Sequence, residues 1–167
     1  MIPKRFEKCG LSAHPEKTRL IDFRAPFHYE RRRSDRSAGD GSDGTPETFN
    51  LLGFTHYWGK TRKGGFAVKR KTMKSRIVRS VQKVDQWRRK NRHKPVSVQW
   101  KKLCEKVRGH YGYYGITGNS RSLGNFLNQV HSSRRRCLNR RNSSRKLTWE
   151  KFNLLLARYS LPIPKAV

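Results

Sequence analysis

Positive charge is spread very unevenly along this 167-residue chain, and that constrains what it can fold into more than any other feature. Residues 51–167 carry 30 Lys and Arg against three carboxylates, Asp85, Glu105 and Glu150. Residues 1–50 carry 10 basic and 8 acidic side chains. Between Lys60 and Arg108 alone, 19 basic residues face only Asp85 and Glu105. With a formal net charge of +29 the folded chain repels itself, and a polyanion is the natural relief. Nucleic acid is the obvious one. A surface charged only for solubility mixes both signs, and here one sign is nearly absent.

Other classes fall away quickly. No run approaches the roughly 18 apolar residues of a membrane span, and Met1-Ile2-Pro3-Lys4-Arg5 lacks a signal-peptide apolar core. Cys9, Cys104 and Cys137 are odd in number and form no C-x-x-C pair, which fits a reducing, cytoplasmic setting rather than a disulfide framework. Cys104 and Cys137 fall on apolar helical stripes, where a thiol acts as a small hydrophobe. Eight Phe, six Tyr and four Trp are enough to seed a core.

The expected fold class is α+β, a small antiparallel sheet followed by a three- to four-helix bundle. Residues 4–9 read as the end of a helix stopped by Gly10, and Lys17 to Phe23 as a strand. Arg24 to Thr48, rich in Arg, Ser, Asp and Gly, reads as a mobile loop. Phe49 to Trp58 is one aromatic strand, and Gly64-Gly65 turns it into a short return strand that begins with Phe66-Ala67-Val68. Met73, Ile77, Val81, Val84 and Trp87 then form a helical stripe, as do Trp100, Leu103, Val107, Tyr111 and Tyr114 beyond Pro95. Asn119 or Ser120 can cap a third helix, with Leu123, Phe126, Leu127, Val130, Cys137 and Leu138 inward. Thr148 can cap a fourth holding Phe152, Leu155, Leu156 and Tyr159, ended by Pro162.

Catalytic chemistry is hard to assemble from these residues. Gly59-Lys60-Thr61 resembles the end of a phosphate-binding loop, but position 54 is Phe where that loop needs glycine. The six histidines, His14, His28, His56, His93, His110 and His131, show no metal-site spacing, and no cofactor is implied. The segment Arg108 to Asn119 is unusual: Gly109, Gly112, Gly115 and Gly118 recur every third residue, each interior glycine costing about 1 kcal/mol relative to Ala. Such repetition suggests close backbone approach. Tyr111 and Tyr114 continue the apolar stripe, whereas Tyr113, with Arg108 and His110, lies off it and could meet RNA by stacking or phosphate contact.

The run R-G-H-Y-G-Y-Y-G-I-T-G-N-S-R-S-L, Arg108 to Leu123, resembles the maturase-specific (thumb, or X) domain of group II intron-encoded proteins. G-L-S-A-H-P-E-K-T-R-L-I-D-F (Gly10 to Phe23) and F-N-L-L-G-F-T (Phe49 to Thr55) resemble the last blocks of that family's reverse-transcriptase palm. K-T-R-K-G-G-F-A-V-K-R-K (Lys60 to Lys71) is similar to its passage from palm into thumb. The resemblance implies a palm remnant over 1–71 with a disordered loop at 24–48, a thumb/maturase bundle over 72–141, and a short helix and tail over 142–167. The family's Tyr-Ala-Asp-Asp motif precedes the block that starts here at Gly10, and this chain has no Asp-Asp pair. The end of the chain resembles the endonuclease-lacking bacterial members of this mobile-element family.

What the resemblance implies is a splicing cofactor that binds group II intron RNA and stabilises its active fold. By charge, the phosphate contacts would come from Lys69, Arg70, Lys71, Lys74, Arg76 and Arg79, and from Arg134, Arg135, Arg136, Arg140 and Arg141 on the third helix. Two other classes stay open: a generic basic RNA- or DNA-binding module, and the thumb subunit of a split reverse transcriptase completed by a separately encoded N-terminal half.

Without adjacent aspartates, two-metal phosphoryl transfer has no site. The purified chain should therefore give no primer extension on a primed RNA template with magnesium. Extension that survives removal of contaminating polymerase refutes this.

Overall fold

The computed structural model describes residues 8–10, 21, 23–24, 47–141 and 147–164. The expected strand at 17–23 and the loop at 24–48 lie almost entirely outside them. The architecture is α+β, a three-stranded antiparallel sheet followed by four helices. The strands are β1 (Phe49–Leu51), β2 (Phe54–Lys60) and β3 (Phe66–Thr72), in the order β1-β2-β3. The helices are α1 (Lys74–Lys90), α2 (Val96–Tyr114), α3 (Ser120–Asn139) and α4 (Trp149–Arg158).

The sheet corrects one expectation. Phe49 to Trp58 is not a single strand, because Leu52 (φ 49°) and Gly53 (φ 83°) make a two-residue turn inside it. Positive φ at both positions matches the twist of a tight hairpin. Leucine pays about 1–2 kcal/mol for that conformation, and the run lacks the Asn-Gly or Asp-Gly that usually announces such a turn. Two bonds hold the corner: Tyr113 Oη donates to Leu52 O (2.9 Å), and Met73 N–H donates to Gly53 O (3.0 Å). The Gly64 turn is as expected, with φ at 82° and its N–H on Thr61 O. The return strand is longer than expected and runs on to Thr72.

The chain divides into two compact units. The first comprises Met1–Phe49 and Tyr57–Val68; in it Phe23 packs edge-on against Phe49 and beneath Trp58, whose Nε1 donates to Phe23 O. The second comprises Asn50–His56 and Lys69–Val167. In this second unit Val81 and Val84 of α1, Leu103, Cys104 and Val107 of α2, and Phe126 and Val130 of α3 form the core, joined by Leu161. These are the apolar stripes of the sequence, each large side chain contributing about 1.5–3 kcal/mol on burial.

Helix direction comes from the cross-contacts. Thr72 meets Asn119, Asp85 meets Ser133 and Arg88 meets Cys137, a nearly constant offset of 47 to 49 residues. The ends of α1 and α3 therefore correspond in order, and the two helices run parallel while α2 carries the chain back. Residues 147–164 belong to the same unit: Thr148 caps α4 through Lys151 N–H, Phe152 is buried, and Trp100 Nε1 donates to Ser160 O (2.7 Å).

Two further expectations change. The glycine repeat does not mark close packing: α2 ends at Tyr114, and a methyl group at Gly109 or Gly112 would meet nothing within 4 Å. Asn119 occupies the N-cap position of α3 but its side chain caps nothing there. Its Oδ1 instead accepts from Thr72 N–H (2.9 Å), and its Nδ2 donates to Thr72 Oγ1 (2.7 Å) and Tyr114 O (2.8 Å). That buried amide ties the end of β3 to both helices. Asn119→Ala leaves several buried polar groups unpaired and should cost about 2–4 kcal/mol in chemical denaturation; a loss below about 1 kcal/mol would refute this role.

Candidate nucleic-acid interface

Because α1 and α3 run parallel, their C-terminal ends share one end of the bundle. The last turn of α1 brings Arg88, Arg89 and Lys90 there, and the end of α3 brings Arg136 and Arg140. Between them lies a cavity of about 230 Å³ lined by Asp85, Arg88, Arg89, Arg92, Arg136 and Arg140. It shares Arg92 and Arg140 with a shallower hollow that adds His93 and Arg141. Cations at helix C-termini are favourable in themselves, since each such end carries about half a negative charge.

Arg88 is the unusual member, because it is 2% exposed. It follows Val81 and Val84 on the buried stripe of α1. Its Nη1 donates to Ser133 Oγ (2.9 Å), and the Ser133 hydroxyl in turn donates to Asp85 Oδ1 in a very short contact. Asp85 Oδ2 lies 3.9 Å from Arg136 Nη2, a long and loose ion pair. Arg88 Nη2 has no hydrogen-bond partner among the described residues. Desolvation pulls the Arg88 guanidinium down to about 10, which leaves it fully charged at neutral pH.

The residues expected to meet RNA separate into groups. Lys69, Arg70 and Lys71 lie on β3, and Lys74, Arg76 and Arg79 on the first half of α1. All but the half-buried Lys69 are exposed. Arg76 shares an open cleft with Leu52 and Tyr113, whose ring stacks on Phe54 and is 57% exposed. Arg89 follows Arg76 by thirteen residues, so this sheet-end group sits about 20 Å along α1 from the arginine cavity. Arg108 is exposed on α2.

Two of the expected contacts prove to be interior. Arg134 is 4% exposed and its Nη1 donates to Tyr159 O (2.8 Å). It sits four residues beyond Val130, which continues the buried stripe, so the periodicity overrides the charge. His110 is half-buried with its ring stacked on Phe126 at 3.8 Å, and burial pushes its pKa down to about 4. His110 is therefore neutral at pH 7, and Arg134 is held at Nη1 while its Nη2, like that of Arg88, has no hydrogen-bond partner among the described residues. Arg135 lies over the Trp149 ring at 3.7 Å, so part of its side chain is spent on a cation–π contact. Arg136, Arg140 and Arg141 are exposed as expected.

Sequence reasoning did not single out Arg88, Arg89 and Arg92. The signal was an arginine on an apolar stripe, immediately ahead of R-K-N-R-H-K. Among the described residues no three His, Cys, Asp or Glu side chains group to hold a metal ion, and no helix is long and apolar enough to cross a membrane.

The buried imidazoles make stability depend on pH. His110 binds its proton near pH 4 when folded and near 6.5 when unfolded, so the unfolded chain holds more protons between those values. The His110 contribution is therefore complete above pH 6.5 and is lost as pH falls towards 4. His131, lowered by burial and by Arg134, acts in the same direction. Unfolding free energy should fall by about 1–3 kcal/mol from pH 7 to 4.5 on this account, and His110→Phe, which keeps the stacked ring, should flatten part of that slope. An unchanged slope in His110→Phe would refute the assignment.

No family model, curated protein or solved structure matches this chain.

Proposed function

We propose that the chain is an RNA-binding domain of the maturase type, gripping group II intron RNA and stabilising its active fold. In this reading the sheet is the end of a reverse-transcriptase palm and the bundle is the thumb, or X, domain. The observation that carries the RNA-binding part is the arginine cavity. Five guanidinium groups line it against one carboxylate. Two helix C-termini, each worth about −0.5, offset roughly one more. About three positive charges remain that no carboxylate among the described lining residues neutralises. The resemblance at Phe49–Thr55, Lys60–Lys71 and Arg108–Leu123 supports the intron assignment.

The mechanism is electrostatic. Compacting RNA brings helices together and sets their phosphates against one another. A rigid cationic bundle lowers that repulsion and releases condensed counterions. Arginine suits the task because its planar fork matches two phosphate oxygens at once. Glu105 on α2 is occupied by Lys102 at 2.9 Å and competes little for the RNA face.

Log affinity for a transcribed group II intron RNA should fall linearly with log salt, with a slope of about −4 to −5. Replacing Arg89, Arg92 and Arg141 with Gln should shrink that magnitude by roughly two units while leaving the fold intact. The same replacement of Lys74, Arg76 and Arg79 should shrink it less. Equal binding of the intron RNA and of an unstructured RNA of the same length, at every salt concentration, would reduce the chain to a generic basic module. Unchanged slopes in both triple variants would place the RNA surface elsewhere.

A further inference from the structure

We propose that the cavity between the C-terminal ends of α1 and α3 is a discrete phosphate pocket, in which one phosphate of the bound RNA displaces Arg136 from Asp85 and bonds to Arg88 and Arg136 together. This rests on the RNA-binding reading and adds to it a particular anion site. A cationic surface needs no such site; three features here go beyond a surface.

The first is the buried arginine. Interior charges are tolerated when paired and fully hydrogen-bonded. Arg88 is held at Nη1 by Ser133, which Asp85 holds in turn, so the guanidinium is fixed in orientation while Nη2 is left without a partner. A fixed, desolvated guanidinium edge with one unmet donor is the arrangement that a phosphate oxygen completes, through a charge-assisted bond about twice as strong as a neutral one. The second is size. At about 230 Å³ the cavity is smaller than the roughly 300–1,000 Å³ that encloses a drug-sized ligand. A single tetrahedral anion fits such a space.

The third is the gate. Nη2 is covered from bulk water in the free protein, so an anion reaches it only when a neighbouring side chain moves. Arg136 can move. Its side chain is 67% exposed and its contact with Asp85 Oδ2, at 3.9 Å, is the weak end of an ion-pair distance. Swinging Arg136 from Asp85 onto the anion keeps its charge paired throughout, and Asp85 retains the Ser133 hydroxyl. Arg92 and Arg140 stand at the rim, where they neutralise the remaining charge. No bond is made or broken covalently and no proton needs to be transferred.

The test uses the full chain and two probes. In the first, inorganic phosphate is titrated at ionic strength held constant with sodium chloride, and thermal unfolding is followed. The wild-type chain should show a saturable rise in Tm. R136Q/R140Q, which alters two exposed side chains and should fold normally, should lose that rise. R88K keeps a charge but lacks Nη2, and should weaken the apparent phosphate affinity about tenfold, the worth of one charge-assisted bond; if R88K does not fold, the exposed double variant still decides. A Tm rise that never saturates, or one equal in wild type and R136Q/R140Q, overturns the pocket. In the second, intron RNA is bound in the presence of rising phosphate at constant ionic strength, and phosphate should compete with the wild-type chain but not with R136Q/R140Q. RNA bound equally well by both proteins, without competition, overturns the pocket while leaving the RNA-binding reading in place. A chain that takes phosphate saturably but binds no RNA overturns that reading, and with it the claim that the phosphate is the RNA's. RNA oligonucleotides with a 5′-phosphate or a 5′-hydroxyl distinguish a terminal phosphate from one within the strand.

Discussion

The parallel register of α1 against α3 is the constraint on which the rest of this structure depends. At one end it is set by Asn119, whose amide takes the Thr72 N–H and returns two bonds to Thr72 Oγ1 and Tyr114 O. At the other it is set by the polar chain Asp85–Ser133–Arg88. Between these points the contact is apolar, Val81 and Val84 meeting Phe126 and Val130 in one core. Hydrophobic packing alone is non-directional and tolerates a shift of one turn. A buried amide or guanidinium left unpaired by such a shift would cost several kcal/mol. The two polar anchors therefore fix where along each other the helices lie.

That register creates the arginine-lined end. Parallel helices place two negative dipole ends side by side, and the arginines of both last turns converge on them. The dipoles offset some of this charge and Asp85 a little more, which lets the end fold without a ligand. They do not offset all of it. The same geometry that permits folding leaves an excess that an external anion can satisfy. The sheet-end cations Lys74, Arg76 and Arg79 lie on the first half of the same helix, where Arg76 shares a cleft with Tyr113 and Tyr114 at the end of α2.

Charge and burial compete along α3 in an instructive way. Arg134, Arg135 and Arg136 are consecutive and chemically identical, yet one is interior and hydrogen-bonded to Tyr159 O, one lies over Trp149, and one reaches solvent. Successive helical residues are turned by about 100°, so a run of three arginines cannot act as one patch. Each takes the role of its position. Arg134 also joins α4 to the bundle through Tyr159 O.

The sequence by itself determined the α+β class, the four helical stripes, the Thr148 cap, the turn at Gly64-Gly65 and the concentration of charge beyond residue 50. These are local properties: periodicity, side-chain capping and backbone preference act within a few residues. The turn at Leu52-Gly53 escaped it because the corner is held by Tyr113 and Met73 from distant segments rather than by turn residues of its own. The arginine cavity escaped it for the same reason. Nothing in the order of residues says that α1 and α3 run parallel at an offset of 47 to 49, and only that offset decides that Arg88 meets Ser133 and Arg136 meets Asp85. Which residues are basic was legible from composition; which of them share a cavity depends on packing between segments some fifty residues apart, and only the tertiary structure decided it.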